Sequence, residues 1–575
     1  MNLNLRKNLG LLAATICALS APDLALADRA DFVTAYNYTV RYLPRIQTWA
    51  GQLSAIEKDH VNKLIGPESP MSPKYKAVVA INVDTLYTSA TINLTEEPQI
   101  LTLPPYDYSY SILQVDVFGN VLSTGLTNNS TGVTYALIGP DYTGPLPNTV
   151  TRINVPQNWT QLAIRTSLYT LNGTSYIDTQ SDAADFRKST RLQSLSEWEA
   201  SPNLGGETQI LPIQDNFSVP TKTVVDALAQ KEPEAFLRLL KAGMESPSTT
   251  PLSEDDKILI ENFKIRFDAA KLAARSGSDS SLSDLCAGVR AAHDAIIANW
   301  HFNTVGNNWI HFNNMGDWGA AYLDRASGNL YIQYCNNRTA AYYAQSFLDE
   351  RSETLTGAGD NIYSITFTAD QIPQSGRFWS ITAYTSDAIE LVPNPANKYA
   401  VASYTPELVT NPDGSITITL KTIGSNETRV PANVLPIPAG RFSVMLRVYA
   451  PIGAASDGTY VPPAVTLDNR KTDIPQTRSI PAEPSLNFSS KIQSALAEGS
   501  ANKRSLGDVA AILGVSKSNL YKVIKAGGSG IKSPDGKVNL VELRKLISKN
   551  SKVAALLTGD RKLSGAAKNS SAKKK

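Results

Sequence analysis

Three short stretches of the chain alternate apolar and polar residues with a period of two. Ser415 to Lys421 (SITITLK) puts Ile416, Ile418 and Leu420 on one face. Phe442 to Tyr449 (FSVMLRVY) groups Phe442, Val444, Leu446 and Val448, with Met445, Arg447 and Tyr449 opposite. Tyr110 to Val117 (YSILQVDV) sets Leu113, Val115 and Val117 against Gln114 and Asp116. Such alternation predicts half-buried strands. Short apolar runs separated by turn residues continue from Val79 to Pro212 and from Asn361 to Val465, and both regions read as antiparallel sandwiches.

Between them the period lengthens to that of a helix. Thr223 to Gln230 predicts a short helix, and Pro233 suits the first turn of a second one ending near Met244. Ser253 with Asp256 resembles a capping box ahead of a long helix running to about Arg275. Leu282, Leu285, Val289, Ala292, Ile296 and Trp300 then form a buried stripe, with His293 beside it as a packed residue. The two β regions also read as degenerate copies of one another. Ser109-Tyr110-Ser111-Ile112 precedes Pro156, and Arg165 follows that proline by nine residues; Phe378-Trp379-Ser380-Ile381 precedes Pro438, with Arg447 again nine residues on.

The ends of the chain differ from this body. Arg6 and Lys7, an apolar run from Leu9 to Leu19 and the small-x-small Ala25-Leu26-Ala27 predict a signal peptide over residues 1–27, with Asp28 first in the mature chain. Cys17 would leave with it, and Cys286 and Cys335 would remain, too few for a disulfide scaffold. Eleven Asn-x-Ser/Thr sequons suit a secreted glycoprotein. From Ala501 to Lys575 there are 17 Lys+Arg against four Asp+Glu, whereas the other 500 residues carry 37 against 48. The net +2 therefore hides a mildly acidic body and a strongly basic tail.

Several motifs in the body resemble a known pair of modules. Asn82-Val83-Asp84-Thr85-Leu86-Tyr87, Glu97-Pro98, Tyr110 with Asp116, and Gly139-Pro140 resemble domain of unknown function 1254. Phe378-Trp379-Ser380, Tyr384, Asp413-Gly414-Ser415, Leu435-Pro436 and Arg447-Val448-Tyr449 resemble domain of unknown function 1214. Gly319, Tyr322-Leu323 and Arg325-Ala326 look like the segment that links them. The resemblance spans roughly Phe32 to Val465 and implies an exported protein with two jelly-roll-like sandwiches around a helical insert. It implies no established reaction. Val434 stands where the family usually has a tryptophan, which weakens the case for an aromatic ligand platform there.

The sequence contains no nucleophile elbow, phosphate loop, His-Glu-x-x-His or Cys-x-x-Cys, which counts against the commoner catalytic plans. His301 and His311 lie in a loop rich in asparagine and tryptophan and read as packing residues; no metal or cofactor is predicted. The catalytic candidates are Asp84, Asp116, Arg165 and Arg447. Two carboxylates with different pKa values would supply the acid and base of glycosidic hydrolysis, and the arginines would orient a carboxylate or sugar substituent. The same four residues equally suit Asp–Arg bridges that pin strand ends. In the tail, Ser505 to Lys525 (SLGDVAAILGVSKSNLYKVIK) resembles a helix-turn-helix, in which Ser516, Lys517, Ser518, Asn519 and Lys522 would meet nucleic acid.

The expected class is mainly β: a first sandwich over 28–215, a helical connector over 216–335, a second sandwich over 336–470, a linker over 471–500 and a basic helix-turn-helix-like module over 501–575. The expected function is recognition or modification of an extracellular glycan-bearing substrate, by a hydrolase if by an enzyme. A non-enzymatic surface, envelope or virion component and a nucleic-acid binder are the alternatives. A glycan or cell-surface ligand, an anionic partner for the basic tail and a second copy of the chain are the partners this organisation admits. No transmembrane segment is expected after signal cleavage.

Overall fold

Alternation does become strand, but helix takes as large a share of the chain. In the computed structural model the described residues are 30–122, 130–213, 219–278, 280–469 and eight positions beyond them, Lys503, Arg504, Val509, Leu520, Ile524, Val538, Asn539 and Leu543. Helix makes up 31% and strand 27%, in several sheets none of which closes, so the class is mixed α/β rather than mainly β. The chain forms two units, Arg29–Arg470 and Met1–Asp28 with Lys471–Lys575. In the second, Lys503–Arg504 pairs antiparallel with Val538–Asn539, and Val509, Leu520, Ile524 and Leu543 are helical and buried. The expected signal peptide, the linker and the nucleic-acid residues Ser516, Lys517, Ser518, Asn519 and Lys522 lie outside the described residues.

Arg29–Arg470 is built on two pairs of sheets. The first pair begins with a six-stranded sheet in the order Gln209–Leu211, Ile65–Pro67, Thr85–Asn93, Trp159–Ser167, Tyr110–Val115 and Val121–Leu122. Its partner is four-stranded: Arg191–Ser194, Gln99–Leu103, Val133–Ile138 and Thr151–Asn154. Ile92, Ile112, Leu162 and Ile164 from one sheet share a core with Leu101, Leu137 and Leu192 from the other. The second pair repeats this, with Thr304–Gly306, Trp309–Ile310, Ala341–Ser346, Phe442–Pro451, Ser375–Thr385 and Ala400–Ala402 in one sheet. Val434–Pro436, Ile416–Lys421, Tyr363–Phe367 and Thr466–Leu467 form the other. Three pairings are parallel, Ile65–Pro67 with Gln209–Leu211, Val133–Ile138 with Thr151–Asn154, and Ile416–Lys421 with Val434–Pro436, so the sheets are not purely antiparallel as expected.

Strand register carries the internal repeat further than the motifs do. Ser111 stands opposite Arg165 on one side and Tyr87 opposite it on the other. In the second pair Ser380 and Tyr343 flank Arg447 in the same places. Each arginine therefore sits on the central strand of a six-stranded sheet, on the face turned away from its own sandwich core.

Those two faces are covered by helices. Lys222–Lys231, Pro233–Glu245, Glu254–Arg275 and Ser280–Phe302 form where the pattern predicts, and Ser253 caps the third through its hydroxyl and the Asp256 N–H. Leu285, Val289, Ala292, Ile296 and Trp300 are buried as the stripe requires. Three helices of three turns or so escape the strand-weighted reading, Ala30–Tyr42, Pro44–Glu57 and Gln180–Ser189, whereas Tyr322–Tyr331 falls within the expected helical connector. Ala30–Tyr42 is rich in Tyr, Thr and Val, residues that favour strands. Its buried Ala35, Tyr38 and Tyr42 nevertheless fall three and four apart, and packing decides. Helices and outer sheet faces meet in one apolar layer that includes Tyr38, Phe236, Phe263, Val289, Trp300, Tyr87, Tyr343, Phe378 and Tyr449.

Gly288 lets Ser280–Phe302 approach Ala30–Tyr42, since a Cβ there would stand 2.4 Å from the Phe32 carbonyl oxygen. Gly288→Val is expected to destabilise Arg29–Arg470 by about 1–3 kcal/mol, the usual range for overpacking. Urea unfolding followed by near-UV circular dichroism reads the change, and an unaltered midpoint would show that this contact is not tight.

Candidate functional site

The two repeat-related arginines open onto one cavity of about 350 Å³. Trp159–Ser167 brings Arg165 to it, and Phe442–Pro451 brings Arg447 and Tyr449. The crossing segment Ala77–Asn82 and Tyr75 close another side, and Ile332–Cys335 a third. Lys58 and His60, just past the end of Pro44–Glu57, stand at the more exposed end.

Both guanidiniums are buried and satisfied mainly by neutral acceptors. Arg165 is 6% exposed; its Nη1 donates to Asn336 Oδ1 at 2.9 Å and its Nη2 to the Tyr334 carbonyl at 2.8 Å, while the charge lies 5.5 Å from the centre of the Tyr87 ring. Asn336 passes the connection on, donating from Nδ2 to the Tyr343 hydroxyl at 2.8 Å. Arg447 is 2% exposed, donates to the Ala80 carbonyl and to Thr382 Oγ1, and lies over the Tyr384 ring. Burial alone would lower both arginines, but the facing tyrosines, and for Arg447 also Asp84, hold each above its ordinary value. Both are charged at neutral pH. Arg377 adds a third guanidinium, pushed down to about 10 by burial, with its Nη2 on Ser167 Oγ.

Of the four predicted catalytic residues, the structure brings three together. Asn82 Oδ1 accepts from the Asp84 N–H and from Thr85 Oγ1, which forms the turn expected there. This aims Asp84 at the second sheet pair, where its carboxylate accepts from Ser380 Oγ at 2.9 Å and the Tyr404 hydroxyl at 2.6 Å. Burial raises Asp84, opposed by the charge of Arg447 and by those two hydrogen bonds. Neither Asp84 nor Asp116 is ion-paired with Arg165 or Arg447, and Asp84 lies outside the cavity lining. Asp116 belongs elsewhere. Its oxygens accept from the Phe118 and Asn120 N–H groups and from Asn120 Nδ2, closing a turn near Arg325. The two carboxylates share no partner, so the acid–base pair that the sequence suggested is not assembled around this cavity.

Sequence reading missed Arg377, Tyr343, Asn336 and Gln333. Tyr343 could have been found, because it takes the place in the second repeat that Tyr87 takes in the first. Gln333 gives no such signal; it is 5% exposed, lines the cavity, and its Oε1 has no partner. Arg165 Nε is likewise buried without one. No Asp or Glu occurs among the described residues of the lining. His301 and His311 hydrogen-bond to the Tyr331 hydroxyl and the Tyr343 carbonyl respectively, and His293 to Asp226. Cys335 also lines the cavity, its thiol pushed up to about 12 by burial.

Residues 61–193 match a family model described as a protein of unknown function (DUF1254), and residues 340–452 match another, DUF1214. The chain carries both domains in that order, with Arg165 in the first and Arg447 in the second. No curated protein matches the sequence. A crystal structure of a protein from Vibrio parahaemolyticus is similar, with a TM-score of 0.47 and 17% identity over 76% of this chain and 100% of that one. An uncharacterized protein from Burkholderia cenocepacia gives a TM-score of 0.35 and 14% identity over 77% and 96%.

Because burial raises Asp84, it takes up a proton more readily in the folded protein than in the unfolded chain. Its contribution to stability is fully present below the ordinary value of 3.8 and is lost as pH rises through the raised one. Relative to Asp84→Asn, the wild type is therefore expected to lose stability between pH 3.5 and 7. Paired urea titrations across that range check the sign; a constant difference would mean that Asp84 is not shifted.

Proposed function

We propose that the protein binds a small organic anion in this cavity, with the anionic group held at Arg165 and Arg447. One observation carries the reading: two buried guanidiniums, Arg165 and Arg447, line this cavity, with Asp84 as the carboxylate neighbour of Arg447 alone, while the described lining offers no acid at all. Charge buried without a counter-charge is costly, and carbonyl and amide oxygens offset it only in part. A carboxylate supplies what is missing, and Arg165 Nε is a buried donor without a partner. The surrounding hydroxyls of Tyr87, Tyr343 and Tyr449 add polarity without charge. Hydrolysis of a glycan by Asp84 and Asp116 lacks this support, since the pair is split between two sites.

In the same reading the chain is exported after loss of residues 1–27, and the basic segment 501–575 holds it to an anionic partner. The N-terminus of the chain recovered from a secreting host tests the first point: Asp28 supports export, and an intact Met1 sinks it.

Titration calorimetry of the full chain with octanoate tests the cavity. Arg165→Gln and Arg447→Gln are each expected to weaken binding at least tenfold, in line with the ~1.5–3 kcal/mol of a hydrogen bond to a charged group. Arg152→Gln, at an exposed arginine, should leave binding unchanged. Equal affinity in all four proteins, each checked for native near-UV dichroism, would remove the arginines from the site.

A further inference from the structure

We infer that the anion is a linear aliphatic carboxylate lying along Trp159–Ser167; this rests on the anion site proposed above. The first sheet presents its outer face to the cavity in three rows set by strand register. Arg165 is flanked by Tyr87 and Ser111, Ala163 by Ser89 and Leu113, and Gln161 by Thr91 and Val115. Leu162 and Ile164, the alternate residues, point into the sandwich core, so Gln161, Ala163 and Arg165 share the cavity face. Successive rows are ~6.8 Å apart, which puts Gln161 roughly 13 Å from Arg165 along the strand.

The three rows differ in chemistry. The inner one holds the charge. The middle one is small at Ala163 and Ser89, which leaves a channel over the sheet rather than a wall. Register puts Leu113 and Ile65 at that row, Met71, Val79 and Ile81 also line the cavity, and none of the five offers a ligand a side-chain hydrogen bond. The outer row is polar at Gln161 and Thr91, whose Oγ1 donates to Gln161 Oε1 at 3.1 Å, and apolar at Val115; Lys58 and His60 also line the cavity.

This order selects among organic anions. A sugar acid would meet one side-chain hydroxyl in the middle row, that of Ser89, which already donates to the Ile65 carbonyl, and would leave most of its own hydroxyls unpaired there. A short carboxylate would fill the charged end and leave the channel empty. A linear chain of intermediate length places its head at Arg165, its methylenes over Ala163 and its end near Gln161. Lys58, which also lines the cavity, adds favourable potential for the approaching anion.

Titration of the full chain with butanoate, octanoate and gluconate, on the wild type, Ala163→Val and Ala163→Phe, tests the assignment. Octanoate is expected to bind wild type far more tightly than butanoate, by up to about fourfold for each added methylene. Ala163→Phe should abolish that gain and Ala163→Val should reduce it, with butanoate affinity kept within about twofold in both. The milder variant keeps the test valid where phenylalanine prevents folding. Octanoate and butanoate binding equally well, with Arg165→Gln still abolishing both, would overturn the aliphatic channel and leave the anion site standing. Gluconate binding more tightly than octanoate would also overturn it. Failure of every carboxylate to bind would overturn the anion site itself.

Discussion

A guanidinium taken out of water must find acceptors within the protein, and two such groups organise the centre of this molecule. Arg447 takes the carbonyl of Ala80, and Arg165 takes that of Tyr334. In each case an arginine from one sheet pair holds backbone from a segment that belongs to neither of its neighbouring strands. Ala80 has φ +51 and Tyr334 φ +57, so both bonds go to backbone that leaves regular structure. Leaving a buried charge unpaired costs several kcal/mol, which makes these crossings obligatory rather than incidental. Around the same crossing Asn82 Nδ2 donates to the Tyr449 hydroxyl, the Ile81 carbonyl accepts from the Tyr384 hydroxyl, and the Ala80 N–H donates to the Ile389 carbonyl.

Everything else follows from how that layer is kept dry. An antiparallel sheet with one face on a core usually gives its other face to water. Here Tyr110–Val115, Ala341–Ser346 and most of Phe442–Pro451 are buried on both faces. The helices supply the cover, through stacked contacts such as Tyr38 on Phe263 at 3.8 Å and Trp300 on Tyr331 at 5.0 Å. Aromatic pairs of this kind add about 0.5–1.5 kcal/mol beyond their buried area. The covered layer is what turns two exposed-looking arginines into buried charges in a low-dielectric surrounding, where each acts over a longer range than it would in water.

Much of the strand and helix content was legible in local pattern. Ile416, Ile418 and Leu420 alternate because one face of their strand is core, and Leu285 to Trp300 repeat at three and four because one side of their helix is. Arg165 and Arg447 stood out because the duplication put them at matching places. The helices Ala30–Tyr42 and Gln180–Ser189 did not, since their residues favour strands or turns until a neighbouring surface fixes the period.

Local composition thus determined where many of the strands and helices and the two pairs of sheets lie, because side-chain periodicity is a property of neighbours along the chain. Alternation also set Met445, Arg447 and Tyr449 opposite the apolar face of a half-buried strand, and only the assembled layers bury that face as well. Distance between residues far apart in sequence was decided by the tertiary structure alone. It joined Asp84 to Ser380 and Tyr404, sent Asp116 to a separate turn, and set Gln333 beside an arginine 168 positions earlier. Those placements depend on which sheet face each element covers, and a face is defined only once two elements pack.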